Sequence, residues 1–295
     1  MNTGIWYALS AYMLWGVFPI YWKWLHDVPA AQVIGHRIGW SFILLVIVIL
    51  ITGQWKKLRS TLTRRVLGIY LVSGLLLSTN WLVYVWGVNT GHIVEASLGY
   101  FINPLFSVLL GVIFLRERLR TWQWIPIGLA AMGVIYLTWT YGALPWIALS
   151  LTFTFGFYGL VKKTAPLGSL YGLTLETGLM FLPALAYLIF AESAGDGAFG
   201  HSGMLINLLM VGSGVVTAVP LLMFASAARR IPLTMIGIMQ YIAPTLQFLI
   251  GVLIYKEAFT SAQLVGFSLV WIALILFWVE GILALRARKT MVEVA

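Results

Sequence analysis

The stretch EASLGYFINPLFSVLLGVIFLRE, residues 95–117, returns 140 residues later as MIGIMQYIAPTLQFLIGVLIYKE, residues 235–257. The two align without a gap. Ile102/Ile242, Pro104/Pro244, Leu109/Leu249, Gly111/Gly251, Val112/Val252 and Glu117/Glu257 are identical, and Phe101/Tyr241 and Arg116/Lys256 are close. The same offset pairs Gly16 with Gly156 and Lys23 with Lys163. A constant offset along a chain is the signature of an internal repeat.

Each copy is an apolar run long enough to be a membrane-spanning helix at 1.5 Å per residue. The rest of the chain is written in the same way. Of its 295 residues 61% are hydrophobic and only 9% charged, against about 25% charged in a soluble domain. Ten apolar runs follow one another, near 4–24, 30–52, 66–88, 92–114, 121–140, 143–162, 170–190, 204–227, 233–255 and 261–285. The first begins almost at Met1, without a basic leader or a small-residue cleavage site, so it reads as a helix and not as a signal peptide. The fold expected is all-α and integral to the membrane, with ten transmembrane helices. Five fall in residues 1–142 and five in 143–295. Because five is odd, the second half enters the membrane upside down relative to the first, the inverted-repeat plan of secondary transporters.

The net charge of +9 does not point to nucleic acid, because its carriers sit in short clusters between apolar runs. With the N-terminus in the cytoplasm, 15 of the 18 Lys and Arg fall inside, among them Lys56, Lys57, Arg59, Arg64, Arg65, Arg229 and Arg230. Loop bias of this kind sets orientation, and it predicts both termini cytoplasmic. The loop AESAGDGAFGHSG, 191–203, carries no Lys or Arg and suits the outer face. There is no cysteine, which excludes disulfides and thiolate metal sites. No cofactor and no metal is expected.

Polar residues inside the apolar runs are the candidates for function. Arg37, within VIGHRIGWSF (33–42), lies about 10 Å below the outer surface if its helix starts near Ala30. Gly35 and Gly39 flank it as G-x-x-x-G, which permits close helix approach. By depth its partner is Glu95. It either snorkels to headgroups, forms a structural pair, or offers positive charge to a solute at the outer end of a cavity. His36 is either a packing residue or a proton carrier. The offset of 140 maps it onto Glu176, so the two are a candidate pair for gating or proton coupling at mirrored depths.

Pro104 and Pro244 remove a backbone N–H and free the carbonyls of Tyr100 and Gln240, making each a fixed bend or a hinge beside a polar spot. Aromatic and amide residues gather on the same helices: Asn80, Trp81, Tyr84 and Trp86; Tyr100, Phe101 and Asn103; Gln240, Tyr241 and Gln247. Trp15 and Phe18 mirror Phe155 and Tyr158. These residues either fill interhelical gaps or line an apolar cavity with a few polar contacts, suited to a small amphipathic solute. LRERLR (115–120) and YKE (255–257) read as helix caps and topology signals.

No G-x-x-x-x-G-K-[ST], H-E-x-x-H or G-x-S-x-G occurs, which argues against ATP hydrolysis and intramembrane enzymology. Intramembrane polar residues are too few for a channel. A non-transporting structural protein is the alternative, and the repeat argues against it.

The segments HRIGWSF, STNWLVYVWGVNTGH and VEASLGYFINPLFSVLLGVIFLRERL resemble the drug/metabolite transporter superfamily, and within it the EamA-domain members of the RarD type. The resemblance covers nearly the whole chain. It implies a carrier of the bacterial inner membrane, moving small metabolites, amino acids or drugs, mainly outward, by alternating access. It also implies a central cavity built from both halves, with the fifth and tenth spans at the periphery. Partners expected are a small-molecule substrate, membrane lipids and candidate coupling protons, in a monomer or a weak oligomer.

Overall fold

The computed structural model describes residues 3–89, 93–141, 146–255 and 261–294, and every regular element among them is helical. The elements are α1 (Thr3–Lys23), α2 (Ala30–Ile51), α3 (Trp55–Ser60), α4 (Arg64–Asn89) and α5 (Ile93–Phe114), then α6 (Trp124–Tyr141) and α7 (Trp146–Thr164). After these come α8 (Ser169–Ser193), α9 (Met204–Ala228), α10 (Leu233–Gln240), α11 (Ile242–Leu249) and α12 (Ser261–Val294). Six stretches are long and apolar enough to cross a membrane: Ala30–Ile51, Arg64–Gly87, Ser169–Ser193, Met204–Ala228, Leu233–Ile254 and Leu264–Leu283. The helices α1, α5, α6 and α7 run 21, 22, 18 and 19 residues. That is about 27 Å or more at 1.5 Å per residue.

Local sequence places the breaks. Helix α2 starts directly after Pro29, whose φ of −53° is preset. It stops at Gly53, the only kind of residue that takes φ +66° without strain. There Gly53 N donates to Leu50 O at 3.0 Å and Gln54 N to Ile49 O at 2.9 Å, so the last carbonyls of the helix are satisfied. The short α3, absent from the sequence reading, follows at once. It buries Leu58 and leaves Lys56, Lys57 and Arg59 exposed.

The two prolines of the repeat behave differently. Helix α5 passes through Pro104 unbroken, whereas the chain breaks between α10 and α11, three residues before Pro244. With no N–H at Pro244, the turn tightens, and Tyr241 N reaches Ile238 O at 3.3 Å. A π-helical turn over Ile250–Ile254 then ends the segment.

Contacts between chain ends define two ends of the bundle. At one, Gln32 bridges to the α8–α9 loop, donating to Asp196 O at 2.6 Å and accepting from Ala198 N at 2.8 Å. Lys23 sits there 3.6 Å over the Tyr255 ring, and Trp86 meets Trp146 at 5.3 Å. We call this the loop end. At the other, Arg229 donates to Ala165 O and Leu167 O, both at 2.7 Å, and Tyr171 donates to Gln54 at 2.7 Å. Lys56, Lys57, Arg64, Arg65 and Arg230 surround this basic end.

Small residues let the helices meet backbone to backbone. A Cβ on Gly214 of α9 would stand 2.5 Å from the Trp40 backbone of α2, and one on Gly237 would stand 2.5 Å from Pro104 O. Gly16 receives Leu246 at 2.6 Å and Gly156 receives Phe106 at 2.4 Å. Both glycines and both partners are 140 residues apart. Gly214→Val is expected to destabilise the protein in detergent by about 1–3 kcal/mol, because the obstruction is backbone and cannot rotate away. Gly128→Ala, whose added Cβ meets nothing within 4 Å, serves as the control in the same thermal melts.

Candidate functional site

A cavity of about 200 Å³ lies in the middle of the bundle. Helices α1, α2, α4 and α5 form one side, and α7, α9, α10 and α11 the other; no lining side chain comes from α6 or α12, which pack on each other. Towards the basic end it is closed by a floor of rings. Tyr12, Tyr158 and Phe224 are at most 2% exposed, and Tyr158 stacks on Phe224 at 5.9 Å and 13°. Towards the loop end its walls, Trp22, Arg37, Tyr84 and Tyr100, are partly accessible.

Arg37 is the charged group of this cavity. Its guanidinium carbon lies 4.5 Å from the Trp22 ring and 4.2 Å from the Trp81 ring, so the cation is held between two indole faces. A desolvated contact of that kind is worth about 2 kcal/mol. Its Nε donates to Thr217 Oγ1 of α9 at 2.9 Å, and its terminal nitrogens donate to no described residue. Among the described residues the planar fork that suits a carboxylate is unspent. The side chain of Glu95, the partner expected from depth, lies outside the described residues.

Other expected residues take their places around it. Asn80 is fixed by two donations from Nδ2, to Leu151 O and Thr154 Oγ1, both 2.9 Å, tying α4 to α7. Asn103 Oδ1 is buried and has no hydrogen-bond partner among the described residues. A buried acceptor left unpaired is uncommon and costs about 1–3 kcal/mol, which marks it for a donor brought by water or ligand. Gln240 accepts from Ser107 at 3.1 Å. Trp81, Tyr84, Tyr100, Trp15, Pro104 and Pro244 also line the cavity, with Trp15 packed edge-on against Phe155 at 5.9 Å.

Four expected residues lie elsewhere, and helix geometry says why. Neighbours on an α-helix point about 100° apart, and His36 faces away from the cavity that Arg37 lines. It lines a separate crevice of about 490 Å³ between α2 and α8, its ring 5.1 Å from Phe199. Tyr241 turns away from Gln240 in the same manner, into the cluster with α6 and α12, and donates to Phe101 O at 3.1 Å. Tyr158 sits in the floor, not the wall. Glu176 lies outside the cavity, towards the basic end and opposite in depth to His36, and its oxygen Oε1 meets Lys162 Nζ at 2.9 Å.

Tyr12, Trp22, Thr217 and Lys162 were missed by sequence reading. Lys162 counted only among the basic residues that set orientation. Glu117 behaves as a cap, as expected: it accepts from Leu233 N at 2.7 Å and Thr234 N at 2.9 Å, at the start of α10.

A family model described as "EamA-like transporter family" matches residues 2–139. Over 294 residues the chain is 45% identical to the "Uncharacterized transporter YojE" of Bacillus subtilis (strain 168), covering 98% of each chain. Over 286 residues it is 42% identical to "Protein RarD" of Escherichia coli (strain K12), covering 97% of each.

The chain belongs to the EamA-like transporter family.

It is of the RarD type within the drug/metabolite transporter superfamily. It is a multi-pass membrane transporter for a small molecule and not an enzyme. A solved structure titled "Crystal structure of protein" superposes with a TM-score of 0.71 over 93% of this chain and 96% of that one, at 16% identity, and so shares the fold.

The buried pair makes a stability prediction. Lys162 and Glu176 are 3% and 1% exposed. Lys162→Met leaves a bare carboxylate and is expected to cost about 3–5 kcal/mol, while Lys162→Met with Glu176→Met together recovers most of that loss. Equal melting temperatures for the single and double variants contradict this.

Proposed function

We propose that this transporter is a secondary exporter of the bacterial inner membrane that works by alternating access, and that the cavity around Arg37 is its substrate site. The observation that carries the reading is the guanidinium between Trp22 and Trp81, with its terminal nitrogens turned to no described partner. A carboxylate on Arg37, with an apolar or aromatic body against Trp15, Trp81 and Tyr100, matches the chemistry of the walls. Asn103 Oδ1 offers an acceptor for a donor on the same solute. The substrate class inferred is a small amphipathic anion or zwitterion.

In this reading the chain crosses the membrane ten times, with α10 and α11 as one span. Residues 1–142 and 143–295 are the two inverted halves, and the basic end with both termini is cytoplasmic. Support comes from a cavity built from both halves, four spans from the first and three from the second, and from the matched contacts Gly16–Leu246 and Gly156–Phe106. The ring floor closes the cytoplasmic side, so the conformation is outward-open. The hinges in this reading are α5 at Pro104 and the break before Pro244.

The test is the unfolding temperature of purified protein against amino acids, amines, nucleosides and chloramphenicol-like drugs, since a ligand of the folded state raises it. Carboxylate-bearing aromatic solutes are expected to give the shift. Arg37→Ala is expected to weaken them about 10- to 150-fold, the equivalent of about 1.5–3 kcal/mol for a charge-assisted contact, measured against the variant's own ligand-free melting temperature. A shift retained in Arg37→Ala overturns the site.

A further inference from the structure

The crevice between α2 and α8, at about 490 Å³, is larger than the central cavity, and it opens sideways past the exposed side chains of Ile43, Leu185 and Ile189. Two close contacts frame it. A Cβ on Gly35 would stand 2.9 Å from Leu188, and one on Gly178 would stand 2.8 Å from Phe42. Between those levels the helices part, and a Cβ on Gly39 would meet only Phe181, at 3.9 Å. The α8 wall runs from Phe181 to Glu192, about 16 Å along the helix axis. That is the depth of one leaflet in a hydrocarbon core about 30 Å thick.

Two polar groups of this apolar slot are unspent. His36 is 7% exposed and its ring packs on Phe199, but neither ring nitrogen bonds to a described residue. In either tautomer a neutral imidazole offers one N–H donor. A buried polar group without a partner is uncommon, so this one marks a place for an acceptor. Glu192 stands one residue from the end of α8. Its Oε1 meets His201 Nε2 at 2.9 Å, and its Oε2 accepts no hydrogen bond from a described residue. Gln32, at the same end of the crevice, is already engaged with Asp196 O and Ala198 N. No Lys or Arg is among the described walls, since Arg37 faces the central cavity.

The two groups lie at different depths. His36 is about 9 Å below the start of α2, whereas Glu192 is at the loop end. The headgroup layer on each side of a bilayer is about 5–8 Å thick. A lipid headgroup beside Glu192 therefore brings its glycerol esters to the level of His36.

We propose that this crevice binds a phospholipid with a primary-amine headgroup from the leaflet at the loop end. One acyl chain fills the slot at Gly39, an ester carbonyl accepts from the His36 ring, and the headgroup ammonium donates to Glu192 Oε2. The carboxylate selects the headgroup: it repels a net anionic one, and a quaternary ammonium has no N–H to give it. The site lies on the opposite side of α2 from Arg37 and does not depend on the reading of the central cavity.

Native mass spectrometry of the purified, delipidated protein tests this, with dioleoyl phosphatidylethanolamine, phosphatidylcholine and phosphatidylglycerol as probes. One phosphatidylethanolamine per chain is expected, bound about 3- to 5-fold tighter than phosphatidylcholine, the yield of a partly exposed ion pair. Phosphatidylglycerol is expected to bind no tighter than phosphatidylcholine. Glu192→Gln, at an exposed position, is expected to make phosphatidylethanolamine and phosphatidylcholine equal. His36→Phe keeps a ring against Phe199 and removes the donor, and is expected to weaken all three lipids about fivefold while the headgroup preference persists. Equal binding of phosphatidylethanolamine and phosphatidylcholine by the native chain overturns the proposal, as does a preference that survives Glu192→Gln or a His36→Phe chain that binds all three as the native one does. A dimer free of lipid also overturns it, because a second copy then covers the crevice.

Discussion

An apolar bundle offers no water to a polar group, and that constraint explains the placement of most interior polar side chains described in this protein. Arg37 is held between two indole faces and a threonine hydroxyl. Asn80 spends both amide protons on α7. Lys162 and Glu176 neutralise each other, and a serine and a tyrosine complete the carboxylate. Each arrangement draws partners from several helices, so the polar groups specify which helices are neighbours as well as satisfying themselves.

Close backbone contacts do the rest of the positioning. Without a hydrophobic driving force between helices inside a membrane, association relies on packing, and small residues allow it. Gly214 brings α9 onto α2, which is what delivers Thr217 to Arg37. Gly237 brings α10 under Pro104, at the level where Gln240 and Asn103 face the cavity. The chemistry of the cavity is thus set by contacts that involve no cavity side chain.

The two ends of the cavity differ in kind. Its loop-end walls are aromatic and partly accessible, while its basic end is sealed first by stacked rings and then by an ion pair.

Much of this was legible in the chain. Composition and apolar runs fix an all-helical membrane protein, since an unpaired backbone group cannot be left in hydrocarbon. The 140-residue offset and the prolines drew attention to α5 and to α10–α11, and Arg37 stood out as a charge inside an apolar run. Facing was not legible. His36 and Arg37 are adjacent in sequence, yet only Arg37 lines the cavity, while His36 lines the crevice against α8. The same holds for Gln240 against Tyr241. Lys162 looked like a helix-end topology signal because nothing in its neighbourhood names Glu176, 14 residues on, as a partner. Sequence determines which residues cannot tolerate hydrocarbon alone. Only the packing of helices distant along the chain decides what each of them finds instead.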